Sequence, residues 1–416
     1  MSKKDKWVIG LLALLAIVLS ACGLGPNPVP PGGGPGQVEV VLPGATNIHY
    51  DDGSGSWQTA QGTNFSFTPN NPGGAYRVAF QCTGGSTTVF NIYAATQAEL
   101  PRIYDPCPSA ATPVSFSVQY ATSSLPAGTT AVRLAHKAGT FYHMDAVDSP
   151  PTGTIQVSTG IAGTQDLVLL AEGSGGLLAY MYLPNVNVYS GLSLTANNPW
   201  QPVTPSQTFP DPSTFPGYVS GWTYGWSVHG VTPNHTIVLS DTDTTGDMNY
   251  YPFPFATRYL FQAYATDTTR ERLAYFRNKI GATPPAAMAF PGRLNAVSFN
   301  RAGGTFQNLP PSPPDTRMYE FAVSWWMGTQ HYSRIEQVSA GFLGTSGAYT
   351  LQSTPSSPQW SAASGYQSSS GSWGVERLEA NKTLAELMQG IEDHGPRGIF
   401  LVPDVEGKWA MKWGNF

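Results

Sequence analysis

Short runs of alternating apolar and polar residues recur along most of this chain, and turn-forming residues separate them. Early examples are VEVVL (38–42), FSFTP (65–69), YRVAFQC (76–82) and TTVFNIY (87–93). A period of two places every second side chain on one face of a strand, which suits sheets that pack on one side. The 416 residues include 45 Gly and 36 Pro, and only 11% are charged, against about 25% in ordinary soluble domains. The pattern predicts an all-β fold of tandem antiparallel β-sandwich domains.

The length suggests more than one domain, and composition supplies candidate borders. Residues 38–110 form the first predicted sandwich, and residues 111–200 form a second with five candidate strands. The proline-rich stretch QPVTPSQTFPDPSTFPG (201–217) opens a C-terminal β-rich region, 201–416, which has room for two modules.

Three local structures are predicted inside this C-terminal region. YLFQAYAT (259–266) and RLAYFRNKI (272–280) can pair as a hairpin. Residues 381–393 predict a short amphipathic helix, because apolar residues recur at a spacing of three and four positions. A terminal hairpin of GIFLV (398–402) with KWAMKW (408–413) is expected to follow the helix.

The N-terminus has the layout of an export signal. Lys3, Lys4 and Lys6 precede an apolar run of about 15 residues, shorter than the roughly 20 needed to span a bilayer. Residues 1–21 are therefore predicted to be a signal peptide. Its end, Leu19-Ser20-Ala21-Cys22, resembles the lipobox of bacterial lipoproteins, which implies that Cys22 is acylated and becomes the N-terminus. The alternative is a plain signal peptide whose cysteine is incidental.

The expected location follows from this resemblance. Acyl chains on Cys22 would hold the protein on a membrane, since two or more chains give stable anchoring. Residues 22–37 comprise this cysteine and an uncharged Pro/Gly linker that cannot build a core. Residue 23 is Gly and not Asp, which favours the outer membrane or the cell surface. Membrane, envelope proteins and glycans are the expected partners, whereas a net charge of -5 argues against nucleic acid.

The two remaining cysteines are predicted to form a disulfide. Export favours oxidation of Cys82 and Cys107, and two cysteines without nearby histidines make a poor zinc site. The bond would close a loop of about 26 residues, worth roughly 3 to 4 kcal/mol in chain-entropy estimates. Two buried free thiols are the alternative.

The first predicted sandwich also resembles a known kind of module. "DDGSGSWQ", "YRVAFQC" and "ATQAELP" (95–101), followed by a closing cysteine, are similar to an N-terminal module of bacterial envelope lipoproteins. The resemblance covers about 70 residues and implies Ig-like or transthyretin-like β-sandwich modules of unassigned activity. It implies architecture and location, and it brings no catalytic residues with it.

Metal-binding candidates are few. The segment DTDTTGD has the opening of a calcium loop, with candidate ligands at Asp241, Asp243 and Asp247. Pro252 occupies the position where an EF-hand needs Glu, which leaves a looser structural calcium turn or a solvated hairpin turn. The segment FYHMDAVD (141–148) offers a second set of ligand types in His143, Asp145 and Asp148. No other cofactor is expected.

The functional prediction therefore depends on binding and not on catalysis. Nucleophile-elbow and phosphate-loop motifs are absent from the sequence. Trp222, Tyr224 and Trp226 share one strand face and could stack on sugars, or they could fill a sandwich core. We expect a non-catalytic, lipid-anchored envelope protein with a structural or protein-interaction role. The alternatives are a carbohydrate-binding lipoprotein and, third, a secreted hydrolase.

Overall fold

The computed structural model describes residues 36–107, 113–138, 141–203, 207–232, 236–242, 248–267, 270–394 and 398–416. The predicted signal peptide, Cys22 and all but the end of the linker lie outside these residues. The predicted all-β class is confirmed, because about 52% of the structure is strand and 10% is helix.

The strands are numbered in chain order. The first part of the chain contains β1 (Val38–Val41), β2 (Thr46–Asp51), β3 (Gln58–Thr59), β4 (Asn64–Phe67), β5 (Ala75–Gly84), β6 (Thr87–Thr96) and β7 (Arg102–Tyr104). The middle part contains β8 (Val114–Tyr120), β9 (Thr129–Ala138), β10 (Phe141–Asp148), β11 (Thr154–Gly160), β12 (Gly163–Gly173), β13 (Gly176–Val188), β14 (Ser193–Ala196) and β15 (Gln201–Pro202).

Among the described residues, the C-terminal region contains the remaining strands and both α-helices. Its strands are β16 (Gln207–Phe209), β17 (Thr223–Val231), β18 (Thr236–Thr242), β19 (Met248–Tyr250), β20 (Arg258–Thr266), β21 (Glu271–Ile280), β22 (Ser298–Asn300), β23 (Thr305–Gln307), β24 (Thr316–Met327), β25 (Gln330–Ser339), β26 (Ala348–Thr350), β27 (Gly371–Ala380) and β28 (Glu406–Asn415). The helices are α1 (Ala340–Leu343) and α2 (Leu384–His394). Short 3-10 helices occur at Thr122–Ser124, Pro212–Thr214, Pro358–Gln367 and Gly398–Phe400.

One 12-stranded sheet organises most of the protein. Its strand order is β18-β17-β20-β21-β28-β27-β24-β25-β6-β5-β2-β3. Neighbours are antiparallel except at β25 and β6, which run parallel from His331 opposite Thr87 to Val338 opposite Ala94. The strands of residues 38–110 thus share a sheet with those of the C-terminal region, a pairing that alternation in the sequence does not indicate.

The first part of the chain adds a second layer to this sheet. Strands β4, β1 and β7 form a three-stranded sheet, and a core that includes Val40, Phe80 and Ile103 fills the space between the layers. The predicted disulfide is present between Cys82 and Cys107, with Cα atoms 5.2 Å apart. It ties the end of this unit to β5.

The middle part folds as a β-sandwich of a five-stranded and a three-stranded sheet, β10-β9-β12-β13-β15 and β11-β8-β14. Its core includes Val118, Leu134 and Leu169, and every member lies between residues 114 and 200. The sandwich meets the C-terminal region through aromatic stacking, with Tyr182 and Phe255 ring centroids 4.1 Å apart.

Two local predictions for the C-terminal region are confirmed and one is wrong. The hairpin of β20 and β21 pairs from Arg258 opposite Ile280 to Thr266 opposite Arg272, and the amphipathic helix is α2. The terminal hairpin does not form, because Gly398–Phe400 is a 3-10 helix and β28 instead pairs with β21 and β27. The chain after α2 therefore ends inside the large sheet.

The large sheet is covered on both faces. One face packs on a core that includes Trp226, Phe321 and Trp325, beneath the loops and small sheets of the C-terminal region. The other face meets the β4-β1-β7 sheet at one end and α2 with the 3-10 turn at Gly398–Phe400 at the other. This second face carries the candidate site.

Candidate functional site

The aromatic residues singled out in the sequence belong to the core. Trp226 is 0% exposed and Tyr224 is 6% exposed, so neither ring is available to stack on a glycan. Trp222 is partly buried against the same core, and the Arg293 guanidinium lies over its ring at 4.9 Å. Of the two interpretations of this strand face, the structure favours core packing.

The candidate metal ligands give no described cluster. Asp243 and Asp247 lie outside the described residues, as do the side chains of Asp241, His143 and Asp145. Asp148 is buried and accepts hydrogen bonds from Tyr120 Oη at 2.5 Å and from three backbone N–H groups of residues 152–154. That carboxylate stabilises a turn. Within the described part of the chain, no group of three His, Cys, Asp or Glu is placed to hold a metal ion.

A line of side chains that are all polar except Met411 crosses the second face of the large sheet. Six residues lie directly opposite one another on six adjacent strands, and we call them the central row: Tyr93, Gln337, Glu320, Glu376, Met411 and Arg272. Because directly paired residues point to the same side of a sheet, the two glutamates face each other with Cβ atoms about 4.5–5.5 Å apart. Two carboxyls thus share the middle of the face.

A cavity lies between this row and helix α2, and we call it the α2 cavity. Its volume is about 60 Å³. The apolar wall comprises Met318, Leu378, Leu384, Leu387, Met388, Ile391 and Ile399. The remaining lining residues are Tyr93, Tyr104, Asp105, Glu320, Gln337 and Trp409. None of these described lining residues is Lys, Arg or His.

The pKa values of the carboxyl groups at the cavity are all raised. Burial raises the pKa of Asp105 to about 7, against the hydrogen bond that Tyr93 Oη donates to Asp105 Oδ2 at 2.9 Å. Burial and the charge of Asp105 raise the pKa of Glu320 to about 7. Burial and the charge of Glu320 hold the pKa of Glu376 well above its ordinary value. Each carboxyl therefore takes up a proton more readily than it would in water.

Two groups near Glu376 act in the opposite direction. Trp409 Nε1 donates a hydrogen bond to Glu376 Oε2 at 2.8 Å, and the positive charge of Arg272 also lowers the pKa of this carboxyl. The Arg272 guanidinium lies over the Tyr264 ring at 4.6 Å. Glu376 therefore has partners on its own side of the row, whereas Glu320 faces the cavity.

Two polar lining groups have no side-chain hydrogen bond. Among the described residues, no hydrogen-bond partner is found for the side-chain amide of Gln337 or for the carboxyl of Glu320. Gln337 is only 9% exposed, yet neither its amide atoms nor the Glu320 carboxyl oxygens are among the fully buried polar atoms that lack a partner, so both groups reach the cavity space. Both groups are left with hydrogen-bonding capacity directed at the cavity.

The same sheet face continues from the cavity along β28. Trp409 lines the cavity, and Trp413 lies four residues further on the same side of the strand, partly exposed. Gly374 is directly opposite Trp413 and Ala322 is opposite Gly374, so small residues lie beside the indole ring. An added Cβ at Gly374 would meet only one atom within 4 Å, at 3.8 Å. We call this strip of small residues, beside the Trp413 ring and the carboxyl pair, the trough; Gly374 itself is buried and Ala322 is half-buried.

This site is not singled out by the sequence pattern, although one signal is visible. Trp409, Met411 and Trp413 share parity in the final apolar run. Glu320 likewise lies in a run with strand-like alternation, YEFAV (319–323), on the opposite side from Tyr319 and Phe321. Glu376 lies in β27, a strand that is not among those predicted from the sequence, so its position opposite Glu320 is a finding of the structure.

Comparisons with known proteins do not assign the chain to a family. No family model matches it, and no curated protein matches it either. In the described part of the chain, no helix has the length and apolar character needed to cross a bilayer.

Proposed function

We propose that this chain is a lipid-anchored protein of the cell envelope that acts without catalysis, by binding carbohydrate on the face of the large sheet that carries the central row. The signal-like N-terminus with Cys22 supports the anchor, and the disulfide is in keeping with an exported protein. Of the binding roles expected from the sequence, the geometry of the sheet favours a glycan ligand.

The observation that carries this proposal is the placement of Trp409 and Trp413 beside polar side chains. Flat aromatic rings stack on the apolar faces of sugars, and carboxyl, amide and guanidinium groups bind sugar hydroxyls. Both kinds of group lie on one rigid sheet, with the trough over Gly374 between them. Trp222, Tyr224 and Trp226 do not form this surface.

The proposal is tested by affinity electrophoresis and calorimetry with soluble envelope and plant oligosaccharides, using the Cys22→Ser form of the chain. Trp413→Ala should weaken glycan binding about tenfold, the equivalent of about 1.4 kcal/mol. Tyr189→Ala is the matched control, because Tyr189 is 54% exposed and follows β13 of the middle sandwich, outside the large sheet. Equal binding by both variants, or no binding of any glycan by the parent, would contradict the proposal.

A protein-interaction role has one specific observation in its favour. Trp326 and Met327 are 56% and 46% exposed at the tip of the β24–β25 hairpin, where the ring of Trp326 contacts only His331 among the described aromatic side chains. Exposed aromatic and Met side chains are typical of interface anchors. Chemical cross-linking on intact cells would test this role: a partner captured by the parent and by Trp413→Ala, but lost with Trp326→Ala, would support it.

A further inference from the structure

We propose that the α2 cavity binds a protonated amino group of the ligand, so that the glycan recognised by this face carries free amines. This inference rests on the proposed carbohydrate-binding function and names the chemistry of its most selective subsite. Size, charge, unpartnered polar groups and wall composition support it independently.

The size of the cavity suits a head group. Its volume is about 60 Å³, and a single water needs roughly 10–15 Å³ of such space. By that measure the cavity has room for about five water-sized groups, the scale of a head group and the carbons next to it. Trp409 forms part of the cavity wall and is followed on the same face by Trp413, so a group held in the cavity could continue as a sugar along the trough.

The charge of the cavity favours a cation. Asp105 and Glu320 line it and Glu376 stands next to Glu320, while no described lining residue is basic. The nearest cation in the central row is Arg272, which lies beyond Glu376 on the far side of the carboxyl pair and is engaged with the Tyr264 ring. An ammonium group between Asp105 and Glu320 would relieve the repulsion between neighbouring carboxylates.

The hydrogen-bonding capacity of the cavity matches an ammonium group. An ammonium offers three donors and no acceptor. The Glu320 carboxyl and the amide oxygen of Gln337 can accept such bonds, and neither side chain has a hydrogen-bond partner among the described residues. Since neither group is among the fully buried polar atoms that lack a partner, both reach the cavity space and a ligand donor can bond to them there.

The walls of the cavity suit the carbon atoms next to the amine. Leu384, Leu387 and Met388 of α2 face the cavity, and Tyr93 and Trp409 add aromatic rings from the sheet. Aromatic faces attract cations within about 6 Å, and apolar walls strengthen the attraction by excluding water. The arrangement therefore favours an organic ammonium over a hydrated metal ion.

Binding of a cation in the α2 cavity must be linked to proton release. The ionisable groups that face the site are Asp105, Glu320, Glu376, Tyr93, Tyr104 and Arg272, whereas α2 contributes only apolar side chains to the lining. Near pH 6.5 part of the carboxyl population carries protons, because the pKa of both Asp105 and Glu320 is about 7. An ammonium favours the ionised carboxyls, so protons should leave as it binds.

The test measures the binding of two glycans of equal length to the Cys22→Ser form of the chain. One is a chitosan tetrasaccharide with free amines, and the other is its fully N-acetylated counterpart. Calorimetry at pH 6.5 in two buffers of different ionisation enthalpy measures affinity and the number of protons released. We expect the amino form to bind at least tenfold more tightly and to release a fraction of a proton. Glu320→Gln should abolish both differences, whereas Asp393→Asn, which removes an exposed carboxyl of α2, should preserve them.

The outcomes separate the two proposals. Equal binding of both tetrasaccharides without proton release would overturn the ammonium subsite and leave carbohydrate binding intact. Binding of butylamine with proton release, but of neither tetrasaccharide, would support the subsite and overturn carbohydrate binding. Absence of binding for all three probes would overturn both.

Discussion

Glu320 shows how one residue's position on a sheet sets its protonation. Its carboxyl faces the cavity and stands opposite a second carboxyl on the next strand, with Asp105 close by. Like charges directly opposite one another destabilise an antiparallel pair. The folded protein can hold this arrangement because protons neutralise part of the cluster, and stability should therefore depend on pH.

Glu320→Gln should stabilise the protein at alkaline pH. The folded pKa of Glu320 is about 7 and its ordinary value is 4.5, so the folded state binds the extra proton between these values. The free energy of unfolding of the parent should then fall as pH rises from 4.5 through 7, and the variant should lack this loss. At pH 8 we expect a gain on the order of 2 kcal/mol, since one pKa unit is about 1.4 kcal/mol and partial exposure reduces the full value.

Urea unfolding from pH 4 to pH 9 measures this difference. The two proteins should have similar stability at pH 4, diverge as the pH rises from 4.5 to about 7, and keep a constant difference above that. A variant that is less stable than the parent at pH 8 would contradict the prediction, because it would show that a favourable contact stabilises the Glu320 carboxylate.

At the same residue scale, alternation in the sequence identifies the two faces of a strand but not which face is buried in the core. Trp222, Tyr224 and Trp226 share parity just as Trp409, Met411 and Trp413 do. The first set contacts the core because loops of the C-terminal region cover that side of the sheet, whereas Trp413 stays partly exposed on the other side. The covering layers come from distant segments, so local pattern alone cannot separate the two sets.

Helix α2 is the element that closes the site. Its apolar stripe packs on the sheet, with Leu384, Leu387 and Met388 all buried, and its spacing is readable from the sequence. The residue before the helix completes a capping box: Thr383 Oγ1 accepts a hydrogen bond from the Glu386 N–H at 3.2 Å, and Glu386 Oε2 accepts one from the Thr383 N–H at 2.8 Å. The predicted terminal hairpin fails because β28 pairs with β27 and β21, which are remote in the chain.

Thr383→Ala should destabilise the start of α2. Loss of the capping hydroxyl typically costs about 1 kcal/mol, so the free energy of unfolding should fall by about that amount. Thr383→Ser keeps the hydroxyl and is the matched control, with an expected change of a few tenths of a kcal/mol. Chemical unfolding at pH 7 gives both values, and equal losses for the two variants would show that the cap does not stabilise the helix.

Glu386, the second residue of the capping box, should make stability depend on pH with a sign opposite to that of Glu320. Hydrogen bonds from the Thr383 backbone and side chain lower the pKa of Glu386. Its contribution to stability is therefore present above the ordinary pKa of the carboxyl and is lost as pH falls through the lowered value. Glu386→Gln should accordingly be less stable than the parent at pH 7 and equal to it at low pH. Urea unfolding at pH 7 and pH 3 measures both differences, and a destabilisation that is the same at the two pH values would contradict a role for the charge.

At the scale of the whole molecule, the all-β class and many individual strands could be predicted from alternation and turn residues. The pairing of the first part of the chain with the last part in one sheet could not be predicted from the sequence. That joint is the parallel pair of β6 and β25, whose partners are more than 200 residues apart in sequence. Ile335, Leu384 and Met388 also complete the core beneath the β4-β1-β7 sheet. Residues 36–107 thus depend on the C-terminal region for both a strand partner and part of their core.

This dependence predicts different behaviour for two excised fragments. The fragment 113–203 should fold alone, because every member of its core cluster lies within that range. The fragment 36–107 should not, even with the Cys82–Cys107 disulfide formed, since β6 loses its partner β25 and the core loses Ile335. Dispersed amide proton spectra and a cooperative thermal transition are expected for the first fragment only. A cooperatively folded 36–107 fragment would show instead that its own two sheets hold enough apolar surface for independent stability.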